Sequence, residues 1–245
     1  MIFRRNFIAR GSGALASIGV TGCGTGFSGG VSRARVLIIG DSMMVGGFGA
    51  TLLHIFERRL GERSVSMYGS CGSSPENWLP NQPIYVTRCG YRASVNGVSE
   101  VFEYQNGHRP PPMETPKLDA LLQKHRPEAV VVQFGTNWFD EFASGVSEED
   151  LRRKRRQMAD FYALMGPRRV IWILPPDCAK FNKQVQDEVR RFIFECSRSR
   201  NVRFVDSRKM THYVMHKTGG DGVHYNGDAA RAWGEAAGAA ILGGL

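Results

Sequence analysis

The chain has 245 residues, 42% hydrophobic and 22% charged, with 29 Gly and 11 Pro. That composition excludes a disordered or collagen-like polymer and leaves room for one α/β domain. No stretch reaches the roughly 18 consecutive apolar residues of a membrane span, which excludes a polytopic membrane protein. The formal charge is +9. Much of the excess is the run Arg152, Arg153, Lys154, Arg155 and Arg156 on an expected helix, with no aromatic residues interleaved to stack on bases. It reads as a solvated basic face, so no nucleic-acid partner is expected.

In chain order, the first segment is an export address. Arg4-Arg5-Asn6-Phe7-Ile8-Ala9 is a twin-arginine pair with apolar residues behind it, and the stretch to Val20 is rich in Gly, Ala and Ser. Val20-Thr21-Gly22-Cys23 then resembles a bacterial lipoprotein box, in which the cysteine is lipidated and becomes the new N-terminus. The expected organisation is a signal peptide over 1–22, a flexible Gly/Ser tether over 23–34 and a folded domain over 35–245. The protein is then exported to the periplasm or cell envelope and held at the membrane through Cys23. A chain beginning at Cys23 carries 29 basic and 23 acidic residues, a charge of +6. Two motif matches inside the tether are discarded. Gly24 to Gly29 fits a dinucleotide fingerprint and Gly26 to Gly30 fits a nucleophile elbow, but neither has a strand before it and a helix after it.

Val36-Leu37-Ile38-Ile39 is a continuous apolar run ending at Gly40, the pattern of a buried parallel strand, and helical spacing follows over 52–60. A shorter strand is expected over 65–68. Residues 73–116 are rich in Pro, Gly and Asn and read as a long insertion with one possible strand over 101–104. Alternation then resumes: helix 118–125, strand 129–134, a helix opened by Ser147 with acids in its first turn and running on to 164, strand 170–174, helix 183–196, strand 202–205 and helix 228–242. Strands alternating with helices imply a three-layer α/β/α sandwich around a parallel sheet, flavodoxin-like in its layering. Ligands in such folds gather beyond the carboxyl ends of the strands.

In an oxidising compartment four further cysteines matter. Cys71 and Cys89 flank one irregular segment and make the expected disulfide. Cys178 and Cys196 bracket a helix whose ends lie too far apart for bonding, so they read as buried thiols.

Four short blocks fall at strand ends or before the last helix. Gly40-Asp41-Ser42 offers a serine hydroxyl on a sharp strand-to-helix turn, with Asp41 as a hydrogen-bonding residue of that turn. Gly69-Ser70-Cys71-Gly72 is a second glycine-rich turn, and Gly135-Thr136-Asn137 follows the central strand. Asp221-Gly222-Val223-His224 sets a carboxylate three residues before a histidine, close enough to hold Nδ1 and leave Nε2 for a hydroxyl.

In this order the blocks resemble the SGNH family of GDSL-type esterases and lipases, over residues 35–245. The resemblance implies a serine esterase with Ser42 as nucleophile, His224 as general base and Asp221 as its orienting acid. It also implies an oxyanion hole from the N–H of Ser42, the N–H of a glycine and the side-chain amide of Asn137. Gly69 and Gly72 both qualify as that glycine, and Gly72 aligns better. The sequence departs from the pattern at Trp138, where many members have Asp, and lacks the Leu or Ile that often follows the serine. Trp138 and Tyr225 stand beside the motifs as candidate walls of an acyl pocket. The chemistry implied needs no cofactor and no metal, and His54, His108, His125, His212 and His216 lack the spacing of a zinc site. The substrate class implied is a small-molecule or glycan ester, with acetyl as the expected acyl group. Two alternatives stand: an O-acyltransferase with the same triad, and a non-catalytic glycan-binding envelope lipoprotein.

Overall fold

The computed structural model describes residues 34–198 and 200–244. The expected export signal, Cys23 and the tether up to residue 33 lie outside the described residues. In chain order the strands are β1 (Val36–Gly40), β2 (Val65–Ser70), β3 (Val86–Thr87), β4 (Tyr91–Val95), β5 (Val98–Phe102), β6 (Met113–Glu114), β7 (Ala129–Gln133), β8 (Arg169–Ile173) and β9 (Val202–Val205). The helices are α1 (Ser42–Val45), α2 (Gly47–Leu60), α3 (Leu118–His125), α4 (Phe139–Ala143), α5 (Glu148–Met165), α6 (Lys183–Ser197) and α7 (Gly227–Leu242).

Seven strands form one sheet in the order β5-β4-β2-β1-β7-β8-β9, and β3 pairs with β6 in a separate two-stranded ribbon. The five strands from β2 to β9 run parallel. Both faces of these strands are covered, which is why their sequences are unbroken apolar runs rather than alternating ones. The two-residue period still sorts the side chains. Val36, Ile38, Ala129 and Val131 pack into the layer of α1, α2 and α7, where Phe48 stacks on Trp233 with ring centroids 3.6 Å apart. Leu37, Ile39, Val130 and Val132 face α3, α5 and α6. Each buried Val, Leu or Ile side chain among these contributes about 1.5–3 kcal/mol by leaving water.

The insertion differs from its expected form. It supplies a hairpin, β4 and β5, that extends the sheet antiparallel at one edge, so the sheet is mostly rather than wholly parallel. Asn96 and Gly97 make the turn, with φ of 54° and 79°, the two left-handed residues that a tight hairpin of this kind requires. The strand expected over 101–104 is β5, which ends at Phe102. The first long helix also begins earlier than the apolar spacing indicates, at Gly47 and directly after the single turn of α1.

The helix opened by Ser147 is α5, whose Ser147 hydroxyl accepts from the Asp150 N–H and whose first turn carries Glu148, Glu149 and Asp150. Its basic run is not wholly solvated. Lys154 is buried and forms ion pairs with Glu76 at 3.4 Å and Glu141 at 2.7 Å. Cys178 and Cys196 are free thiols, the first of them buried. No helix among the described residues is long and apolar enough to cross a membrane.

Candidate active site

Registration of the parallel strands puts three of the four blocks at one end of the sheet. Gly40 at the end of β1 lies opposite Gly69 of β2 on one side and Gln133 of β7 on the other. Ser42, Gly72 and Asn137 follow within a few residues of those positions and therefore emerge side by side. The end of β1 is fixed by the Asp41 N–H donating to the Gln133 carbonyl at 3.2 Å. Asp41 Oδ1 then accepts from the Met43 N–H at 3.0 Å, capping α1 and leaving Ser42 as its first residue. The Ser42 N–H finds no acceptor among the described residues, as expected of a helix start.

One turn of helix also leaves carbonyls unsatisfied at its other end. The buried Arg92 of β4 supplies donors there: Nε donates to the carbonyls of Met44 and Val45 at 3.0 and 3.1 Å, and a terminal nitrogen donates to Val45 at 2.7 Å. The hairpin thus holds the helix that carries Ser42. Sequence reasoning missed this residue because its partners lie 47 and 48 positions away. The available signal was Asn96-Gly97 between two short strands.

His224 reaches the same point from the loop before α7. Its Nε2 is 2.8 Å from Ser42 Oγ and its Nδ1 is 2.5 Å from Asp221 Oδ2. Asp221 Oδ1 accepts from the N–H groups of Val223 and His224 at 2.9 and 2.8 Å. Burial pushes this carboxyl up, but the His224 ring and the two amides outweigh it and hold the acid at about 2. Asp221 is therefore an anion across the physiological range, the state that fixes the imidazole with its proton on Nδ1 and Nε2 free to accept from Ser42. The loop is braced by Tyr213, whose hydroxyl accepts from the Gly222 N–H at 3.0 Å and donates to the His224 carbonyl at 3.3 Å.

Asn137, in the turn after β7, reaches the loop that carries Gly72. Asn137 Nδ2 donates to the Ser73 carbonyl at 2.8 Å, which uses one of its two hydrogens. The Gly72 N–H has no acceptor among the described residues. Its φ is +79°, and a side chain there would collide with the Tyr85 hydroxyl, so glycine is required. Gly69 has a different task. It sits inside β2, where a Cβ would come within 2.9 Å of the Met44 backbone, so its lack of a side chain lets α1 lie on the sheet. Of the two glycines, only Gly72 lies in the loop beyond the strand end.

Cys71 and Cys89 are joined by a disulfide, which ties the Gly72 loop to the segment before β4. A cavity of about 460 Å³ opens over the site, lined among others by Ser42, His224, Tyr225 and the two disulfide cysteines. Tyr225 is thus a wall of it, with its hydroxyl donating to the Asp177 carbonyl at 2.7 Å. Trp138 is not. It is buried against Phe192 at 5.5 Å on the opposite side of its turn and belongs to the core. No group of three or more His, Cys, Asp or Glu side chains able to hold a metal occurs among the described residues.

This layered sheet is the fold also found in solved esterases and in a protein of the G-D-S-L family from Desulfitobacterium hafniense. In three dimensions the chain is similar to a peptidoglycan O-acetylesterase, at 12% identity, over 86% of this chain and 91% of that one, with a TM-score of 0.54. It is similar to an acetyl xylan esterase at 14% identity, over 84% and 99% of the two chains, with a TM-score of 0.52. A carbohydrate esterase of family 3 from Talaromyces cellulolyticus matches at 13% identity, over 86% and 97%, with a TM-score of 0.51. No family model matches the sequence, and no curated protein matches it.

Proposed function

We propose that this protein is a serine esterase that removes small acyl groups, acetyl foremost, from a carbohydrate or cell-envelope glycan. The single observation that carries the reading is the hydrogen-bonded series from Asp221 through His224 to Ser42, closed at 2.5 and 2.8 Å. In this reading Ser42 Oγ attacks the ester carbonyl as its proton passes to His224 Nε2. The tetrahedral oxyanion is met by the free N–H groups of Ser42 and Gly72 and by the remaining Asn137 hydrogen, each such donor lowering the barrier by about 3 kcal/mol. His224 returns the proton to the leaving alkoxide, giving the free sugar hydroxyl and an acyl-Ser42. Water, deprotonated by His224, then cleaves the acyl-enzyme to release the carboxylate. The acetyl esterases among the structural neighbours support the small acyl group.

The same proposal has the chain exported and tethered through a lipid on Cys23, supported by Arg4-Arg5 upstream of Val20-Thr21-Gly22-Cys23. Labelled fatty acid is then incorporated by the wild type and not by Cys23→Ala, and equal incorporation removes the tether. For the activity, acetylated peptidoglycan, acetylated xylan and nitrophenyl acetate are incubated with wild type and Ser42→Ala. Free acetate from the wild type alone is the expected result. Acetyl carried to an added sugar in place of water points to the transferase, and wild-type turnover by Ser42→Ala overturns the mechanism.

A further inference from the structure

A second cavity of about 330 Å³, lined by Tyr85, Val86, Arg88 and Arg109, shares Cys89 and Tyr104 with the one above Ser42, so the two are neighbours beside the Cys71–Cys89 bridge and the second extends the first along the surface. We propose that this extension is a subsite for a carboxylate-bearing sugar, with Arg88 and Arg109 taking the carboxylate and Tyr104 the face of the ring. The inference rests on the esterase reading for what the sugar carries, an acyl ester, and on nothing else in it.

The charge is one-sided and unspent. Among the described residues Arg88 makes no hydrogen bond and no ion pair, and Arg109 uses only Nε, which donates to the Tyr104 hydroxyl at 2.7 Å. The Arg109 terminal nitrogens therefore remain for a planar anion, the geometry in which a guanidinium binds carboxylate bidentately. No acidic residue lines this second cavity. Beside the cations Tyr104 is 51% exposed and Val86 39%. A cation next to an uncovered aromatic face suits a ligand that is part anion and part C–H surface, which describes an acidic sugar.

The parts are also held in place. Gln105 and His108 exchange backbone hydrogen bonds at 3.2 and 2.9 Å around Asn106 and Gly107, whose φ values of 51° and 80° make a second tight turn. Tyr104 and Arg109 flank that turn and so stand side by side. Arg88 precedes Cys89, whose disulfide partner adjoins Gly72. A sugar on the arginines is thereby registered against the loop that offers the Gly72 N–H. Glu103 lines the catalytic cavity and not the extension.

The carboxylate can come from a hexuronate or from the lactyl ether of a muramic acid, and the test separates them. Binding to the wild type is measured by calorimetry for a galacturonate trisaccharide and its carboxyl-reduced form, and for the disaccharide of N-acetylglucosamine and N-acetylmuramic acid against chitobiose. At least one acidic sugar is expected to bind about tenfold tighter than its neutral partner, the strength of a charge-assisted pair. Arg88→Gln with Arg109→Gln is expected to erase that preference, and Tyr104→Ala to weaken acidic and neutral sugars alike. Thermal melting checks that each variant is folded. Equal binding of every acidic sugar and its neutral partner overturns the proposal, as does a preference that survives the double substitution. So does inorganic phosphate binding that depends on both arginines while no sugar does. Fluorophosphonate labelling of Ser42 in the same wild-type sample keeps the two readings apart. Labelled Ser42 without a charge preference removes the subsite alone, and unlabelled Ser42 with the preference removes the esterase and leaves the subsite.

Discussion

The turn after β1 and the loop before α7 each bring an aspartate next to the Ser42–His224 pair, and they shift it in opposite directions. Asp221 has a half-exposed side chain, and the His224 ring and two amides keep it at about 2. Asp41 is fully buried, and burial pushes its carboxyl up to about 7 despite the Met43 amide on Oδ1. Its Oδ2 has no hydrogen-bond partner, although Thr136 and Gln133 lie alongside, and the nearby Gln133 Oε1 lacks a donor as well. A proton on Asp41 turns one of these unsatisfied acceptors into a donor. What separates the two acids is the supply of donors: an ion persists where several N–H groups point at it, and neutralises where they do not. The first state suits orientation of an imidazole, the second a hydrogen-bonding member of the core.

Substitution by asparagine breaks the comparison in two different ways. The larger effect is expected at Asp221. Asp221→Asn replaces an obligate acceptor with a group that can donate, which favours the wrong imidazole tautomer and lowers kcat by about 10⁴ with little change in substrate binding. Steady-state hydrolysis of nitrophenyl acetate measures it, and a loss below tenfold removes Asp221 from the mechanism. Because this acid stays ionised to about 2, its titration does not set the acidic limb of a rate profile above pH 4.

The smaller effect is on folding. Asp41 has a folded-state value of about 7 against 3.8 for the free group, so the unfolded chain releases its proton first as pH rises. Stability from this residue is full below about pH 4, falls through the interval up to 7 and is flat beyond it, a loss on the order of 4 kcal/mol. Asp41→Asn carries no proton to lose. Urea unfolding between pH 4 and 8 is expected to show the decline in the wild type and a shallower one in the variant. Parallel stability curves would mean that Asp41 is ionised inside the fold.

Much of this arrangement was legible in the sequence because its determinants are local. The runs at Val36, Ala129 and Val170 mark strands buried on both faces, and Ser147 marks the start of α5 by its hydroxyl and the acids behind it. The same locality applies to Asp221 and His224, which are three residues apart, and to Ser42 at the end of the strongest strand. The remainder depended on distant partners. Arg92 reads as a charged residue that weakens an apolar strand, and only the carbonyls of Met44 and Val45 explain its burial. Lys154 is likewise indistinguishable in sequence from the basic residues around it until Glu76 and Glu141 close on it. Trp138 adjoins a site motif in sequence, yet the turn of helix that follows Gly135 rotates it into the core.

The central claim is that Ser42 is the nucleophile addressed by His224 and Asp221, and covalent labelling tests it most directly. Wild type, Ser42→Ala and His224→Ala are treated with a fluorophosphonate and their peptides mapped by mass. The expected result is an adduct on the Ser42 peptide of the wild type, none in Ser42→Ala and greatly slowed labelling in His224→Ala. An unlabelled wild-type Ser42, or labelling at full rate without His224, would contradict it.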